Sequence, residues 1–174
     1  LQLLQHAGYT LPALDAVGQD AWMQELINGL CRLSSHDALT GLANRREFEL
    51  AIAREIDRVA RTGEAALLLM IDIDRFKQIN DTHGHSVGDL AIVSVARVLH
   101  ASIRPMDTVA RLGGEEFAII LPNCPHDFGL AAAERVRTKV AGHAIAIGKG
   151  EPLSLTVSVG GAFAPLEPRP QAQQ

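Results

Sequence analysis

The stretch Arg111-Leu112-Gly113-Gly114-Glu115-Glu116-Phe117 constrains this chain more than any other. Apolar runs flank it, Thr108–Leu112 before and Phe117–Leu121 after, so the whole reads as a β-hairpin. A hairpin built only for structure more often turns on Asn-Gly or Asp-Gly. Here the turn sets two adjacent carboxylates where solvent and ligands reach them. Gly113 and Gly114 carry no side-chain bulk, which lets a ligand approach the backbone closely. Glu115 and Glu116 offer hard oxygen ligands of the kind Mg²⁺ takes. On these residues alone, a solvated turn and a functional turn both stay open.

The chain of 174 residues accommodates one domain plus an extension. With 47% hydrophobic and 21% charged residues it can bury a proper core. A net charge of −4 speaks against sequence-independent binding to nucleic acid and against direct contact with an anionic membrane surface. It leaves room for one anionic ligand neutralised by metal ions. Cys31 and Cys124 are too few and too far apart for a disulfide framework, which points to the cytoplasm. The seven histidines show no zinc-like spacing. No apolar run is long enough to span a bilayer, and no signal peptide is visible. The chain opens on Leu1 rather than Met, so we expect a fragment of something longer.

Leu1–Val17 has no clear period. In Asp20–Ser34, Trp22, Leu26, Leu30 and Leu33 follow helical spacing. This is either a short helix packed on the domain or the end of a signalling helix from an upstream module. The next helix is better marked: Asn44 and Glu47 form a capping box, Phe48, Ile52, Ile56 and Val59 make its apolar face, and Gly63 ends it. Ala65–Ile73 is an unbroken apolar run, suited to a strand covered on both faces. Ile92, Val95, Leu99 and Ile103 mark another helix; Ala132, Val136 and Val140 a further one. Leu153, Leu155, Val157 and Val159 alternate with Ser154, Thr156 and Ser158, as in a half-buried strand. From Ala65 the order is therefore βαββαβ. That is an α+β, ferredoxin-like antiparallel sheet flanked by helices, whose inner strands are the first and third. The end of the first then meets the glycine turn, so Asp72 faces Glu115 and Glu116.

Alternation puts Asp72 and Asp74 on one side of their strand if it stays extended. A carboxylate ending a buried strand is costly unless a cation compensates it. We assign Asp72 to metal and read Asp74 as the cap of the next helix, Arg75–Asn80. One Asp and one or two Glu converging from two strands make a site for one or two Mg²⁺ holding a phosphate chain. Lys77 is either a phosphate contact or a solvated lysine. Asn80 and Asp89 have the donor and acceptor groups to read guanine, but also fit a turn and a helix first turn.

The stretch Gly113-Gly114-Glu115-Glu116-Phe117 closely resembles the signature of the GGDEF family, the bacterial diguanylate cyclases. Asp37-Ala38-Leu39-Thr40-Gly41-Leu42-Ala43-Asn44-Arg45-Arg46 is similar to the family's opening motif. The run from Ile71-Asp72-Ile73-Asp74 through Asn80-Asp81, His83-Gly84-His85 and Gly88-Asp89 matches its metal and guanine motifs. Thr156-Val157-Ser158-Val159-Gly160 looks like its late strand. The resemblance divides the chain into an N-terminal extension and linker helix (1–35), the GGDEF domain (36–164) and a Pro/Gln-rich tail (165–174). It implies a palm-type sheet like that of nucleotide cyclase catalytic domains.

The resemblance also implies the chemistry. Two GTP, one on each subunit of a homodimer, condense to cyclic di-GMP and release two pyrophosphates. Asp72, the Ile73 carbonyl and Glu115 hold two Mg²⁺ or Mn²⁺ per active site. Glu116 assists the metals or deprotonates the 3′-hydroxyl, and the two glutamates' roles stay undivided. Asn80 and Asp89 read guanine with His85 nearby, Lys77 contacts phosphate, and Gly113 and Gly114 clear room for the nucleotide. Arg104-Pro105-Met106-Asp107 stands where the family keeps its inhibitory Arg-x-x-Asp, which makes Arg104 and Asp107 a product-binding site. An upstream sensor domain is implied as a partner. Family members continue past the late strand into a helix and an edge strand, whereas here Pro165, Pro168 and Pro170 precede Gln171-Ala172-Gln173-Gln174. We expect a truncated domain, and a catalytically silent receptor for cyclic di-GMP or GTP is the alternative. A polymerase-like palm shares the fold but is disfavoured by the acidic charge.

Overall fold

The computed structural model describes residues 10–148 and 150–165. Residues 1–9 of the amino-terminal segment and 166–174 of the Pro/Gln-rich tail lie outside the described residues. The elements are α1 (Leu14–Val17), α2 (Gln19–Ser35), α3 (Arg45–Thr62), β1 (Ala66–Ile73), α4 (Phe76–His83), α5 (His85–His100), β2 (Thr108–Gly113), β3 (Glu116–Pro122), α6 (His126–Ala141) and β4 (Val157–Ala164). The strands form one antiparallel sheet in the order β2-β3-β1-β4. This is the ferredoxin-like arrangement expected from the sequence, with β1 and β3 inside.

Alternation along the strands separates two faces. Leu67, Leu69, Ile71 and Ile73 of β1 join Phe117, Ile119 and Leu121 of β3 in the main core. Ile92, Val95 and Leu99 of α5 and Val136 and Val140 of α6 close it. On the opposite face Ala110, Leu112 and Ala118 pack with Ala43, Phe48 and Leu68. Here α3 lies over β2 and β3. It therefore leaves the β1–β4 side of that face open, and two expectations fail for this reason. Ile56 of α3 is 57% exposed rather than buried, and β1 is not covered on both faces, since Met70 is 42% exposed.

The ends of α3 follow local chemistry. Asn44 Oδ1 accepts from the Glu47 amide at 3.0 Å. Gly63 turns left-handed (φ 70°) and its amide donates to Val59 O at 2.8 Å. The capping box is only half made: Glu47 pairs with Arg54, and the Asn44 amide donates to Ser35 O. The alternation of Leu153–Val159 is present, but the ladder with β1 begins at Val157 and runs through Gly160-Gly161 to Ala164. On α2, Trp22 and Leu26 of the expected stripe are half-buried, while Leu30 and Leu33, with Met23 and Ile27 beside them, keep exposed apolar surface. No described helix is long and apolar enough to cross a membrane.

Candidate active site

The antiparallel pairing of β1 with β3 sets Asp72 directly opposite Glu116. The hairpin turn is Gly114-Glu115, closed by the pair Gly113–Glu116, with a bulge between Arg111 and Gly113. Gly113 (φ 146°) and Gly114 (φ 49°) both hold positive φ, so the sharp turn needs glycine there. Glu115 is tied to the end of β1, where the Ile73 amide donates to its carbonyl at 3.3 Å. Asp72 and Glu116 line a cleft of about 320 Å³ with Met70, Ser158 and Gly160. Partial burial pushes the Asp72 carboxyl above its ordinary range, and the charges of Glu115, Glu116 and Asp74 push it further. Uncompensated negative charge of this kind is what a cation relieves. Among the described residues no three His, Cys, Asp or Glu side chains stand close enough to hold an ion unaided. Mg²⁺ commonly takes one or two carboxylates and completes its shell with water and phosphate oxygens, and Asp72, the Ile73 carbonyl and Glu115 fit that pattern.

Asp74 departs from expectation. It does not cap α4, whose first turn is preceded by Arg75 in a left-handed conformation (φ 55°) with no side-chain cap. Its carboxylate accepts from Thr156 Oγ1 at 2.5 Å and Ser158 Oγ at 2.6 Å, and its amide donates to Thr156 O. The two hydroxyls hold its carboxyl below the ordinary range. Asp74 lies just past the end of β1 and stays on Asp72's side, bonding the side chain of Ser158, the residue paired with Asp72, and so fastens the end of β1 to β4.

The α4–α5 corner turns on Gly84 (φ 85°). Lys77 lies exposed in the first turn of α4, and His85 exposed at the start of α5. A Cβ on buried Gly88 would stand 2.0 Å from Asn80 Oδ1, so Gly88 is what lets the Asn80 amide lie against α5, one residue from Asp89. A larger cleft of about 740 Å³ lies between α4, the end of α6 and residues 153–156, with Arg75, Gln78 and His83 in its wall. It includes none of Asp72, Glu115 and Glu116, so its size does not make it the centre of the chemistry.

At the opposite end of the sheet, Asp107 is buried and half-exposed Arg104 grips it. Arg104 Nη2 donates to Asp107 Oδ1 at 2.8 Å, its Nε to both carboxylate oxygens at 3.2 Å, and its amide to Oδ2 at 2.8 Å. Arg104 Nη2 also donates to Pro122 O at 2.9 Å. Buried Cys124 lies close by, its thiol pushed up by burial while feeling the charges of Arg104, Asp107 and Arg135. The structure thus brings together Asp72, Ile73 and the two glutamates, sets Asn80 beside the Gly88-Asp89 step, and keeps Arg104 and Asp107 as a separate pair.

Sequence reasoning missed two residues around the turn. Arg111 donates from Nε and Nη2 to Gly114 O at 3.0 and 2.9 Å, and from Nη1 to both carboxylate oxygens of Asp37 at 3.1 and 3.2 Å. An arginine beside a glycine turn was a visible signal, but its partner lies 74 residues away.

The family described as "Diguanylate cyclase, GGDEF domain" matches residues 34–174. The probable diguanylate cyclase DgcC of Escherichia coli K12 is 40% identical over 137 residues, which cover 79% of this chain and 36% of that protein. The chain thus spans about a third of that relative's length. Among solved structures, the coiled coil and GGDEF domain of DgcB from Caulobacter crescentus, in complex with c-di-GMP, is 33% identical with a TM-score of 0.76, covering 81% of this chain and 75% of that one. The diguanylate cyclase SiaD in complex with its activator SiaC from Pseudomonas aeruginosa is 38% identical with a TM-score of 0.75, covering 86% and 57%. The antiparallel sheet, the glycine turn facing Asp72 and these matches lead to one conclusion: the chain belongs to the GGDEF family of diguanylate cyclase domains.

Proposed function

We propose that this chain condenses two GTP into cyclic di-GMP, each of two paired chains holding one GTP. The observation that carries the reading is Asp72 set opposite Glu116 beside Glu115, carboxylates whose crowding a divalent cation would relieve. Two Mg²⁺ or Mn²⁺, held by Asp72, the Ile73 carbonyl and Glu115, would neutralise the triphosphate and favour ionisation of the 3′-hydroxyl. The protein's own groups do the rest. Asn80 and Asp89, with His85 near, take the guanine edge; Lys77 meets phosphate; Gly113 and Gly114 leave the space the nucleotide occupies. Each 3′-oxygen attacks the other GTP's α-phosphorus, its proton passing to Glu116. The bond to the β-phosphate oxygen breaks and pyrophosphate leaves. The reaction needs two chains, because each contributes half of the reactants.

Arg104, oriented by buried Asp107, binds the product and slows turnover. The guanidinium suits an acceptor edge and a phosphate, and the similar GGDEF domain of DgcB forms a complex with c-di-GMP. Arg135, near the same thiol, supplies a second cation. A GTP-consuming site and two free cysteines fit a reducing cytoplasm. The exposed stripe of α2 is read as the end of a helix from an upstream sensor. A receptor that binds cyclic di-GMP or GTP without turnover is the second reading.

One chromatographic assay with GTP and Mg²⁺ separates these. The wild-type chain should form cyclic di-GMP and slow as it accumulates, Arg104→Ala should not slow, and Glu116→Gln should fall at least about 100-fold. Bound cyclic di-GMP with no product from any variant would establish the receptor instead.

A further inference from the structure

The residues that hold the glycine turn are as specific as those it presents. Glycines at Gly113 and Gly114 give the turn its shape but no rigidity of their own. The link from the turn to β1 is the long 3.3 Å bond from the Ile73 amide to Glu115 O. From the other side, the planar fork of Arg111 spans two partners at once, the Gly114 carbonyl and the Asp37 carboxylate. Both side chains are largely withdrawn from water, 13% and 22% exposed.

Asp37 is itself fixed. Its Oδ1 accepts from the Thr40 amide at 2.9 Å and Thr40 Oγ1 at 2.7 Å, while its amide donates to Leu42 O at 2.8 Å. The same loop grips β2 again through Arg111 N to Ala43 O at 2.9 Å, and Arg45 at the start of α3 adds Nε to Leu112 O at 3.0 Å. A bonded path therefore runs from the residues just after α2, through Asp37 and Arg111, to the carbonyl that precedes Glu115.

We propose that Arg111 is a positioning residue for the metal-binding turn and that Asp37 positions Arg111, so that the loop leaving α2 sets the placement of Glu115 and Glu116. The proposal rests on the metal role given above to Asp72 and Glu115. An ion pair that served only stability would behave otherwise, because lysine at 111 could keep a charge near Asp37. It could not reach Gly114 O with two donors at the same time.

The test is Mn²⁺ binding by the full chain, followed by electron paramagnetic resonance with a GTP analogue whose α–β bridge cannot be cleaved. The wild type should bind Mn²⁺ and Asp72→Asn should not. Asp37→Asn and Arg111→Lys, folded by circular dichroism, should each weaken Mn²⁺ about tenfold or more, as loss of a supporting group around a metal does. The double variant should be no weaker than the weaker single, because the two act in one path. Wild-type Mn²⁺ affinity in both single variants, with Asp72→Asn inactive in binding, would overturn the relay alone. Failure of the wild type itself to bind Mn²⁺ would overturn the site reading and the relay with it.

Discussion

The Asp72 carboxyl titrates above its ordinary range because partial burial, and then the charges of Glu115, Glu116 and Asp74, disfavour its ionised form. The folded chain therefore holds this proton more tightly than the unfolded chain does. Stability from this group is full below the ordinary aspartate range and declines as pH rises through the raised folded value. At neutral pH the metal-free site is a net cost, held under about 1 kcal/mol by the water around this exposed side chain. Asp72→Asn should therefore melt slightly higher than the wild type at neutral pH in a chelator, and lose that advantage in acid. Added Mn²⁺ should raise the wild-type melting temperature only. A variant that melts lower at neutral pH in chelator would mean that these carboxylates do not repel. Asp74 has the opposite sign: its hydroxyl partners stabilise the fold above the ordinary range, and that support fades as pH falls.

The corner between α4 and α5 exposes a conflict between propensity and fit. Gly88 lies inside α5, where alanine is favoured by about 1 kcal/mol on helix propensity. Yet a Cβ there would meet Asn80 Oδ1 at 2.0 Å, the end of a side chain that can swing aside. Gly88→Ala should leave the melting temperature nearly unchanged while weakening GTP about tenfold or more, roughly 1–3 kcal/mol for a misplaced guanine contact. Calorimetric titration with a non-reacting GTP analogue measures it, and unchanged affinity would remove Asn80 from the base site. The longer helices, the hairpin and the strand order were legible in the sequence because periodicity and glycine turns are local signals. The facing of Asp72 and Glu116 followed from topology alone. Alternation names a residue's face but never its partner, so the bond from Thr156 to Asp74, 82 residues back, was out of reach. So was the exposure of Ile56, which depends on how far α3 extends across the sheet.

Taken as one molecule, the domain keeps its two candidate sites at opposite ends of the sheet. The carboxylates gather where β1 ends and β3 begins, whereas Arg104 and Asp107 lie where β2 begins and β3 ends. A product bound at one end can influence turnover at the other only by changing how two chains meet or how the turn is held. Under the proposed reaction, turnover depends on dimer formation. The most direct measurement is the initial rate of cyclic di-GMP formation from GTP and Mg²⁺ over a wide range of chain concentration. Product should form, and the rate per chain should climb with concentration to a plateau as pairs assemble. No product at any concentration, or a rate per chain that never changes with it, would contradict a reaction completed by two half-sites.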